Sequence, residues 1–288
     1  MSAVALSSLD KVLWPEPGFT KGQMIEYYRR IAPVLLPHLR DRPLTLGRFP
    51  SGVEGRGFAQ NECRGAPEWL RTYAVRLRDG TPRRFCVVDD VESLLWVANQ
   101  NTIELHPFLY TVVDPARPTS VVFDLDPAAP ADVLAAGEVA LRLRDLLAER
   151  GLAAVLKTSG SLGLHVLVPL NTPTTFAETK AFARKLAAQL AEERPEQVTD
   201  AQRRSARAGK VLVDWLQNDP MRSTVAPYSL RATPWPTVST PVAWEEVEEA
   251  LAGGRAEHLT FLADDVLERV QHDPFAPALE VEQSLPST

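Results

Sequence analysis

Cysteine and histidine are both scarce in this sequence, which has two cysteines and five histidines in 288 residues. The two cysteines, Cys63 and Cys86, lack the close spacing of a zinc-binding pair, and the histidines are scattered. We therefore expect no structural zinc site. We also predict that both cysteines are reduced thiols, as is usual in a reducing compartment.

Long apolar stretches are missing as well. No run of 18 apolar residues occurs, so the sequence predicts no membrane-spanning helix. The first residues lack the basic and apolar regions of a signal peptide, and none is expected. The chain is long enough to bury a sizeable core. With no membrane span and no signal peptide expected, we expect a cytoplasmic protein.

Positive charge is in deficit overall, since the net charge at pH 7 is −6. The deficit lies after residue 242, where 11 acidic residues stand against Arg255 and Arg269. The first 242 residues hold 29 basic and 26 acidic residues, a net charge of +3. Because a polyanion responds to the local field, a nucleic-acid partner is not excluded. The acidic segment is interpreted as a solvated helix and tail, or alternatively as a surface that binds a partner or imitates DNA.

Two aspartates at the end of a short apolar strand are the strongest functional signal. Residues 120–127 read Ser-Val-Val-Phe-Asp-Leu-Asp-Pro, which places Asp124 and Asp126 two residues apart. Such side chains share one face of a strand, about 6.5–7 Å apart. The pair is costly unless a cation lies between the carboxylates, and Mg²⁺ or Mn²⁺ prefers oxygen ligands of this kind. The alternative is a pair of solvated turn residues.

A second apolar strand pattern, at residues 210–214, ends on Asp214. Three carboxylates from two strands are enough to hold two divalent ions about 4 Å apart, as in phosphoryl transfer. Alternatively, Asp214 caps the end of its strand. Gln217 follows closely and is predicted to contact a nucleotide or to support a metal ligand.

The segment between the two strands carries a turn rich in serine and glycine. Ser159, Gly160 and Ser161 combine small side chains with hydroxyl donors, so backbone N–H groups could approach an anion. His165 lies on the strand pattern that follows. Such a turn alone is usually a hairpin, and a lone histidine on an apolar strand is usually a core residue. The order of the segments favours a phosphate site.

Basic residues flank the strand of Asp214. Arg207 and Lys210 precede it, and Arg222 and Arg231 follow it. Cations beside a polyphosphate position it and stabilise developing charge. Ordinary surface exposure is the alternative for each of them.

Helix starts are marked by capping patterns at Thr20, Asp132 and Thr175. The first helix is predicted to run to Leu39, and its two internal prolines are expected to shorten or kink it. The order strand, helix, hairpin, helix, strand indicates an α+β fold with a mixed or antiparallel sheet.

Together these motifs resemble those of a known family. The sequence has Asp-Leu-Asp-Pro at 124–127, Thr-Ser-Gly-Ser-Leu-Gly-Leu-His at 158–165, Val-Asp-Trp-Leu-Gln-Asn at 213–218 and Thr-Val-Ala-Pro-Tyr-Ser-Leu-Arg at 224–231. In this order they resemble the motifs of the archaeo-eukaryotic primase superfamily. More narrowly, they resemble the polymerase domain of the bacterial ATP-dependent DNA ligase D. The resemblance covers roughly residues 8–270.

The resemblance implies a fold and a domain plan. The fold would be a primase-like catalytic core with an RRM-like mixed or antiparallel sheet, packed against a smaller N-terminal α/β module. We expect one domain over residues 1–270, with the module at about 1–115 and the core at about 116–245. An acidic C-terminal tail would follow at 271–288. Since no ligase or nuclease motif is present, a stand-alone form is expected.

The resemblance also implies an activity. The chain would be a template-dependent nucleotidyltransferase that fills gaps or extends 3′ ends in non-homologous end joining, with a preference for ribonucleotides. Asp124, Asp126 and Asp214 would be catalytic and would hold two Mn²⁺ or Mg²⁺ ions. The nucleotide-binding residues would be Ser159, Gly160, Ser161, His165, Arg207, Lys210, Gln217, Arg222, Arg231 and His106.

The partners implied by the resemblance are DNA ends or gapped DNA with a 5′-phosphate, and an NTP or dNTP. Lys11 and Lys21 match the family's pocket for that 5′-phosphate, which two lysines can hold as point charges. Phe58 and Arg48 match positions that bind the template strand. Ku and a separate DNA ligase are implied by analogy alone, with a location at the nucleoid of the bacterial cytoplasm.

Several positions depart from the family pattern, and three of them bear on substrate binding. Gly47 and Leu162 stand where relatives have lysine, and Ala59 replaces the second phenylalanine of a stacking pair. A stacked base contributes about 1–3 kcal/mol, so the grip on template and triphosphate is expected to be weaker or differently built. The rival hypothesis is a catalytically weakened module that binds DNA ends.

A third hypothesis, an aspartyl-phosphate phosphatase, rests on the similarity of residues 121–126 to the opening motif of that superfamily. There the second aspartate is normally followed by Gly-Thr, whereas Pro127 follows here. That motif also normally lies near the start of the chain. Both differences favour the nucleotidyltransferase.

Overall fold

The computed structural model describes residues 4–77, 79–270 and 273–286. They divide into two compact units, and the chain passes between the units more than once. The first unit draws on residues 1–114, 223–239 and 261–272, and the second on 115–222, 240–260 and 273–288. The division after Asp114 lies beside the boundary expected at about 115. The return of residues 223–239 to the first unit was not expected, and the single-domain plan stays a prediction.

Helices and strands follow one another along most of the described residues, and residues 218–240 form only isolated bridges. The helices are α1 (Lys21–Leu39), α2 (Val91–Asn99), α3 (Val133–Ala148), α4 (Phe176–Glu193), α5 (Trp244–Gly253), α6 (Ala263–Arg269) and α7 (Pro277–Glu280). The strands are β1 (Val12–Trp14), β2 (Phe19–Thr20), β3 (Pro43–Arg48), β4 (Phe58–Gln60), β5 (Thr72–Arg76), β6 (Pro82–Val87), β7 (Thr102–Pro107), β8 (Ser120–Pro127), β9 (Val155–Thr158), β10 (Leu164–Pro169), β11 (Val198–Thr199), β12 (Val211–Asp214) and β13 (Pro241–Val242). Within the described residues, no helix is long and apolar enough to cross a membrane.

The first unit is built on an antiparallel sheet in the order β4-β3-β6-β5, and β7 also pairs with β3. A separate ribbon joins β1 and β2. Helices α1, α2 and α6 contribute to its core, where Trp14, Met24 and Tyr28 are fully buried. This unit therefore has a hydrophobic core of its own.

Helix α1 begins as predicted. The Thr20 side chain accepts from the N–H of Gln23, and the Gln23 side chain accepts from the N–H of Thr20. The expected shortening at the prolines is wrong, because α1 continues through Pro33 and Pro37 to Leu39. An internal proline costs about 3 kcal/mol, and the ten residues that α1 buries offset that cost.

The two cysteines differ from the prediction of reduced thiols, because Cys63 and Cys86 form a disulfide. Their Cα atoms lie 5.1 Å apart, within the range that a disulfide requires. The backbone N–H of Cys63 donates to the carbonyl oxygen of Arg84, which holds its loop beside β6. The two cysteines are 23 residues apart in the sequence, and this spacing alone does not indicate a disulfide.

The second unit is built on a six-stranded sheet in the order β11-β12-β8-β10-β9-β13. The β11–β12 pair is parallel and the other pairs are antiparallel, so the predicted mixed sheet and the α+β class are confirmed. Helices α3 and α4 pack against β8. Their predicted caps are also confirmed, because Asp132 accepts from two N–H groups of α3 and Thr175 forms a capping box with Glu178.

Strand β8 lies inside this sheet because of its apolar run. Val121, Val122, Phe123 and Leu125 are all 0% exposed. A strand that is apolar on both faces must be covered on both, unlike an alternating strand at a solvated surface. The two aspartates therefore extend from a rigid, buried support.

Residues 273–286 differ from the expected acidic tail. Phe275 is 2% exposed and packs with Val155, Leu167 and Ala278 of the second unit. The side chain of Gln283 accepts from one backbone N–H and donates to two carbonyl oxygens of the same unit. A buried aromatic residue and a satisfied amide fasten this segment to the unit.

Gly163 lets the serine-glycine turn pass close to β8. A Cβ atom at this position would overlap the carbonyl oxygen of Leu125 and touch Pro127. The obstacle is backbone and cannot rotate away, so any side chain would push the turn from the strand that carries Asp124.

We expect Gly163→Ala to lower the free energy of unfolding by about 1–3 kcal/mol, the usual cost of overpacking. The matched control is Gly253→Ala, because a Cβ atom there meets only flexible Arg255 side-chain atoms at 3.5 Å or more. Both substitutions change the entropy of the unfolded chain alike. Urea unfolding of the two variants measures the difference, and equal midpoints would contradict the close approach.

Candidate active site

The register of the second unit's sheet brings predicted site residues into one row. Asp124 of β8 is paired directly with Asp214 of β12 on one side and with His165 of β10 on the other. His165 is paired in turn with Lys157 of β9. Directly paired residues point to the same face, so these four side chains form the site row. Asp126 lies on that face, two residues beyond Asp124.

The carboxylates of the site row are close together. The amide nitrogen of Gln217 lies 3.3 Å from an oxygen of Asp124 and 3.3 Å from an oxygen of Asp214. The two oxygens are therefore no farther apart than twice that distance. Divalent ions shared by two carboxylates need such an approach.

A divalent cation fits this donor set by its chemistry, because hard carboxylate oxygens converge where the Gln217 amide now donates. The coordination itself is not preformed. In residues 4–77, 79–270 and 273–286, no three acidic, histidine or cysteine side chains are arranged to hold one metal ion. The sheet supplies the ligands, while hydrogen bonds set their side-chain directions.

Asp214 meets both interpretations of its position. It caps the 3₁₀ turn Trp215–Gln217, because its Oδ1 accepts from the N–H of Leu216 at 2.9 Å. The same oxygen accepts from Nε2 of Gln202 at 3.0 Å, and Gln202 accepts from Arg207 at 3.2 Å. Its second oxygen faces Gln217. The cap and the site row thus use different oxygens of one carboxylate.

Asn218 holds the 3₁₀ turn on the sheet. It is 0% exposed, and its side chain accepts from the N–H of Val122 at 2.9 Å and donates to the Val122 carbonyl at 2.7 Å. The amide replaces a backbone partner for β8 beyond the end of β12. Gln217, the preceding residue, is placed over the site row by this pairing.

Lys157 and His165 form the buried end of the site row, at 2% and 5% exposure. Nζ of Lys157 lies 3.1 Å from Nδ1 of His165, and Nε2 of His165 lies 3.3 Å from Asp124. An ammonium group can only donate, so Nδ1 accepts and Nε2 carries the hydrogen that faces Asp124. The imidazole of His165 therefore lies between the Lys157 side chain and the carboxylate of Asp124.

The serine-glycine turn is closed by its own hydrogen bonds. Oγ of Ser159 accepts from the N–H groups of Ser161 and Gly163, at 3.1 and 3.0 Å. Gly160 has a φ of 70°, which only glycine adopts readily. The predicted hydroxyl of Ser159 thus shapes the turn, and the N–H groups of Ser161 and Gly163 are already used.

The predicted cations have different surroundings, and their role in nucleotide binding stays a prediction. Lys210 donates to the Pro195 carbonyl at 2.5 Å, Arg207 donates to Gln202, and Arg222 is exposed. His106 and Arg231 belong to the first unit. The structure thus divides the predicted nucleotide-binding set between the two units.

In the first unit, Glu104 joins His106 and Arg231. Its Oε2 lies 3.0 Å from Nε2 of His106, and its Oε1 accepts from Nε of Arg231 at 3.0 Å and from the N–H of Ala232 at 3.1 Å. Burial alone would raise the pKa of Glu104, but these hydrogen bonds and the Arg231 charge lower it to about 2. The carboxylate is therefore ionised at neutral pH.

The predicted template contacts lie at one edge of the same sheet. Phe58 is 48% exposed, and the guanidinium of Arg48 lies 5.7 Å from its ring centroid. Two of the departures from the family pattern, Gly47 and Ala59, are paired directly across β3 and β4. The missing side chains thus leave one continuous gap.

The two lysines predicted to bind a 5′-phosphate are neighbours. The N–H of Lys21 donates to the Lys11 carbonyl at 2.8 Å, and Lys21 begins α1. Burial lowers the pKa of Lys21, and the charge of Lys11 lowers it further. Nζ of Lys11 donates to the Pro50 carbonyl. Two cations at a helix N-terminus favour an anion.

Sequence reasoning missed Glu104, Lys157, Gln202 and Asn218. Glu104 stands two residues before His106, the spacing that marked the aspartate pair, and the same argument would have found it. Lys157 interrupts an apolar strand, and a charged residue in such a place is rarely fully buried without a partner. Gln202 carries no comparable signal, and the partner of Asn218, Val122, lies 96 residues away along the chain.

The fold and the site define an α+β domain whose mixed sheet carries paired carboxylates on two neighbouring strands, the arrangement expected of primase-polymerase domains. A model of the LigD primase-polymerase domain matches residues 20–275, and the chain belongs to this family. This confirms the resemblance inferred from the motifs.

The similar proteins agree with this assignment. The chain is 38% identical, over 95% of its length, to the multifunctional non-homologous end joining protein LigD of Mycolicibacterium smegmatis. It is 31% identical, over 92% of its length, to the bifunctional non-homologous end joining protein LigD of Bacillus subtilis. It spans 36% and 42% of these two proteins. The structure is similar to the polymerase domain from Mycobacterium tuberculosis ligase D in complex with DNA, with a TM-score of 0.88, 35% identity and coverage of 97% and 99% of the two chains.

The ion pairs of Glu104 predict how stability depends on pH. The pKa of this carboxyl is lowered from 4.5 to about 2 on folding, so its contribution is present above pH 4.5 and is lost as the pH falls toward 2. The shift corresponds to a contribution on the order of 3 kcal/mol. Between pH 5 and 3, chemical unfolding should show a steeper loss of stability for the unmodified chain than for Glu104→Gln. Parallel pH profiles would contradict the prediction.

Proposed function

We propose that the chain is a template-dependent, divalent-metal-dependent nucleotidyltransferase that extends 3′ ends or fills gaps during non-homologous end joining. The observation that supports this most is the direct pairing of Asp124 with Asp214, with Asp126 on the same face. The repair context comes from relatives of this chain that are named as end-joining proteins.

The residues of the site row have distinct tasks in this proposal. Asp124, Asp126 and Asp214 would hold Mn²⁺ or Mg²⁺, and the bound ions would supply acidification of the primer hydroxyl and charge neutralisation of the triphosphate. When a cation binds, the Gln217 amide moves away from the carboxylates and contacts the nucleotide. His165 donates from Nε2 and orients Asp124, and Lys157 keeps that imidazole in the required tautomer.

The substrates follow from the remaining predicted contacts. Lys11 and Lys21 bind the 5′-phosphate beyond a gap, and Phe58 with Arg48 supports the template strand. An NTP is preferred to a dNTP, and Ku and a DNA ligase are the protein partners. A solved relative is in complex with DNA, which supports DNA as the polymer.

A weakened end-binding module is the second candidate function. The gap at Gly47 and Ala59 favours it, since the opposed positions lack both the lysine and the stacking ring that relatives carry. Retention of the paired carboxylates favours catalysis. A primer-extension assay distinguishes the two, because only a polymerase adds nucleotides.

Asp124→Ala and Asp126→Ala are expected to reduce nucleotide addition on the order of a thousandfold, because a catalytic metal contributes several kcal/mol. Primer extension with Mn²⁺ measures the loss, and titration of Mn²⁺ by paramagnetic resonance should show weaker binding. DNA affinity should change little. The control is Asp145→Ala on α3, at an exposed carboxylate remote in sequence from the motifs. Undiminished extension by the Asp124 variant would reject the proposal.

Lys11→Ala combined with Lys21→Ala is expected to remove the preference for a 5′-phosphorylated gap. Each charge-assisted hydrogen bond contributes about 1.5–3 kcal/mol, so the affinity ratio between phosphorylated and unphosphorylated gaps should fall at least tenfold. Fluorescence anisotropy with the two DNAs measures it. Lys185→Ala, which changes an exposed lysine of α4, should keep the preference, and Lys11→Ala alone tests the pocket without altering buried Lys21. An unchanged ratio in the double variant would exclude this pocket.

A further inference from the structure

The first unit contains an open cleft of about 480 Å³ beside the β3–β4 edge. Its walls include the rings of Phe49 and Phe58, and its lining also includes Gly47, Ala59, Glu104 and His106. The cleft thus combines two aromatic walls with one ionised carboxylate and one imidazole. Such a mixture is typical of sites that hold a flat, partly polar ligand.

The position of the Glu104 side chain requires a glycine at position 47. Gly47 is paired directly with Glu104 on β7, and a Cβ atom at position 47 would lie 2.7 Å from the Cβ of Glu104. A residue with a side chain here would displace Glu104 from its place. Gly47, where relatives have lysine, therefore does more than remove a positive charge. It also makes room for the contacts of Glu104.

The contacts of Glu104 leave one tautomer for the neutral ring of His106. An ionised carboxylate can only accept hydrogen bonds, and Oε2 of Glu104 lies 3.0 Å from Nε2 of His106. Nε2 must then carry the hydrogen. In the neutral imidazole the other nitrogen, Nδ1, has no hydrogen and is an acceptor.

The other oxygen of Glu104 keeps the carboxylate from rotating. Oε1 accepts from Nε of Arg231 and from the backbone N–H of Ala232. The side chains of Glu104, His106 and Arg231 are 16%, 22% and 20% exposed. A carboxylate held by two fixed donors can direct its remaining oxygen at one partner only.

We propose that Glu104 is a positioning residue that fixes the Nε2–H tautomer of His106, so that the cleft offers Nδ1 as an acceptor to a ligand that donates a hydroxyl hydrogen. Within the proposed function, the donor is a sugar hydroxyl of a nucleotide, at the 2′ or the 3′ position. The ligand half of this inference rests on the proposed function. The tautomer half rests on the contacts of Glu104 alone.

The tautomer is tested by long-range ¹H–¹⁵N correlation spectra of the full chain labelled in histidine nitrogen. Spectra are recorded at the alkaline end of a pH series, where imidazole is neutral, and His106→Asn assigns the signals. The unmodified chain should show a protonated Nε2 and a bare Nδ1 at His106. The opposite pattern would overturn the proposal.

Glu104→Gln should invert the tautomer. The donors from Arg231 and Ala232 keep the amide oxygen on their side, so the amide NH₂ faces His106 and Nε2 must accept. The signals of His165 in the second unit serve as the control for intact folding. An unchanged His106 tautomer in a folded variant would count against the role of Glu104. If this variant does not fold, the spectrum of the unmodified chain still tests the assignment.

The ligand half is tested by equilibrium binding of ATP, 2′-deoxyATP and 3′-deoxyATP to both proteins in the presence of Mn²⁺. One hydrogen bond contributes about 0.5–1.5 kcal/mol, so the unmodified chain should bind the nucleotide that lacks the recognised hydroxyl about three- to tenfold more weakly. Glu104→Gln should bind all three alike. Equal binding of all three by the unmodified chain would overturn the hydroxyl contact while leaving the proposed function standing. Failure to bind any of them would count against the proposed function, and the tautomer would remain a separate result.

Discussion

The direct opposition of Asp124 and Asp214 on neighbouring strands is the constraint on which the second unit depends. Like charges directly opposite each other destabilise a sheet. Hydrogen-bond donors meet this cost: Gln217 donates to both carboxylates, and Gln202 donates to Asp214. These donors come from separate segments, so the arrangement exists only in the folded unit. A divalent cation would satisfy the same oxygens.

The first unit also places two ionisable side chains on one face of a strand, but there the protein itself supplies their partners. Glu104 and His106 also stand two residues apart on a strand, but Arg231 and a backbone N–H complete the contacts of the carboxylate. The charge is thus balanced within the protein, and burial of the pair is tolerated because every partner is hydrogen-bonded. The second unit therefore presents the paired carboxylates of Asp124 and Asp214, whereas the first unit presents a cleft lined by Phe49, Phe58 and His106.

Local pattern predicted much of this architecture. The caps at Thr20, Asp132 and Thr175 and the apolar strand of β8 follow from interactions within a few residues, and they appear as expected. Alternation on a strand correctly placed Asp124 and Asp126 on one face. The predictions of a shortened α1 and of reduced thiols were wrong where distant contacts decide. Helix α1 runs through its prolines to Leu39 because a buried face supports it. Cys63 and Cys86 form a disulfide across 23 residues of sequence.

The sequence by itself determined which residue types stand at the strand ends, and with them the family, the α+β class and the ligands that a cation could use. Only the tertiary structure decided which of these residues meet. Register pairs Asp124 with Asp214 and His165, and it leaves His106 and Arg231 with Glu104 in the first unit. The reason is physical: side-chain alternation is set by the local backbone, whereas pairing between strands is set by the burial of whole faces.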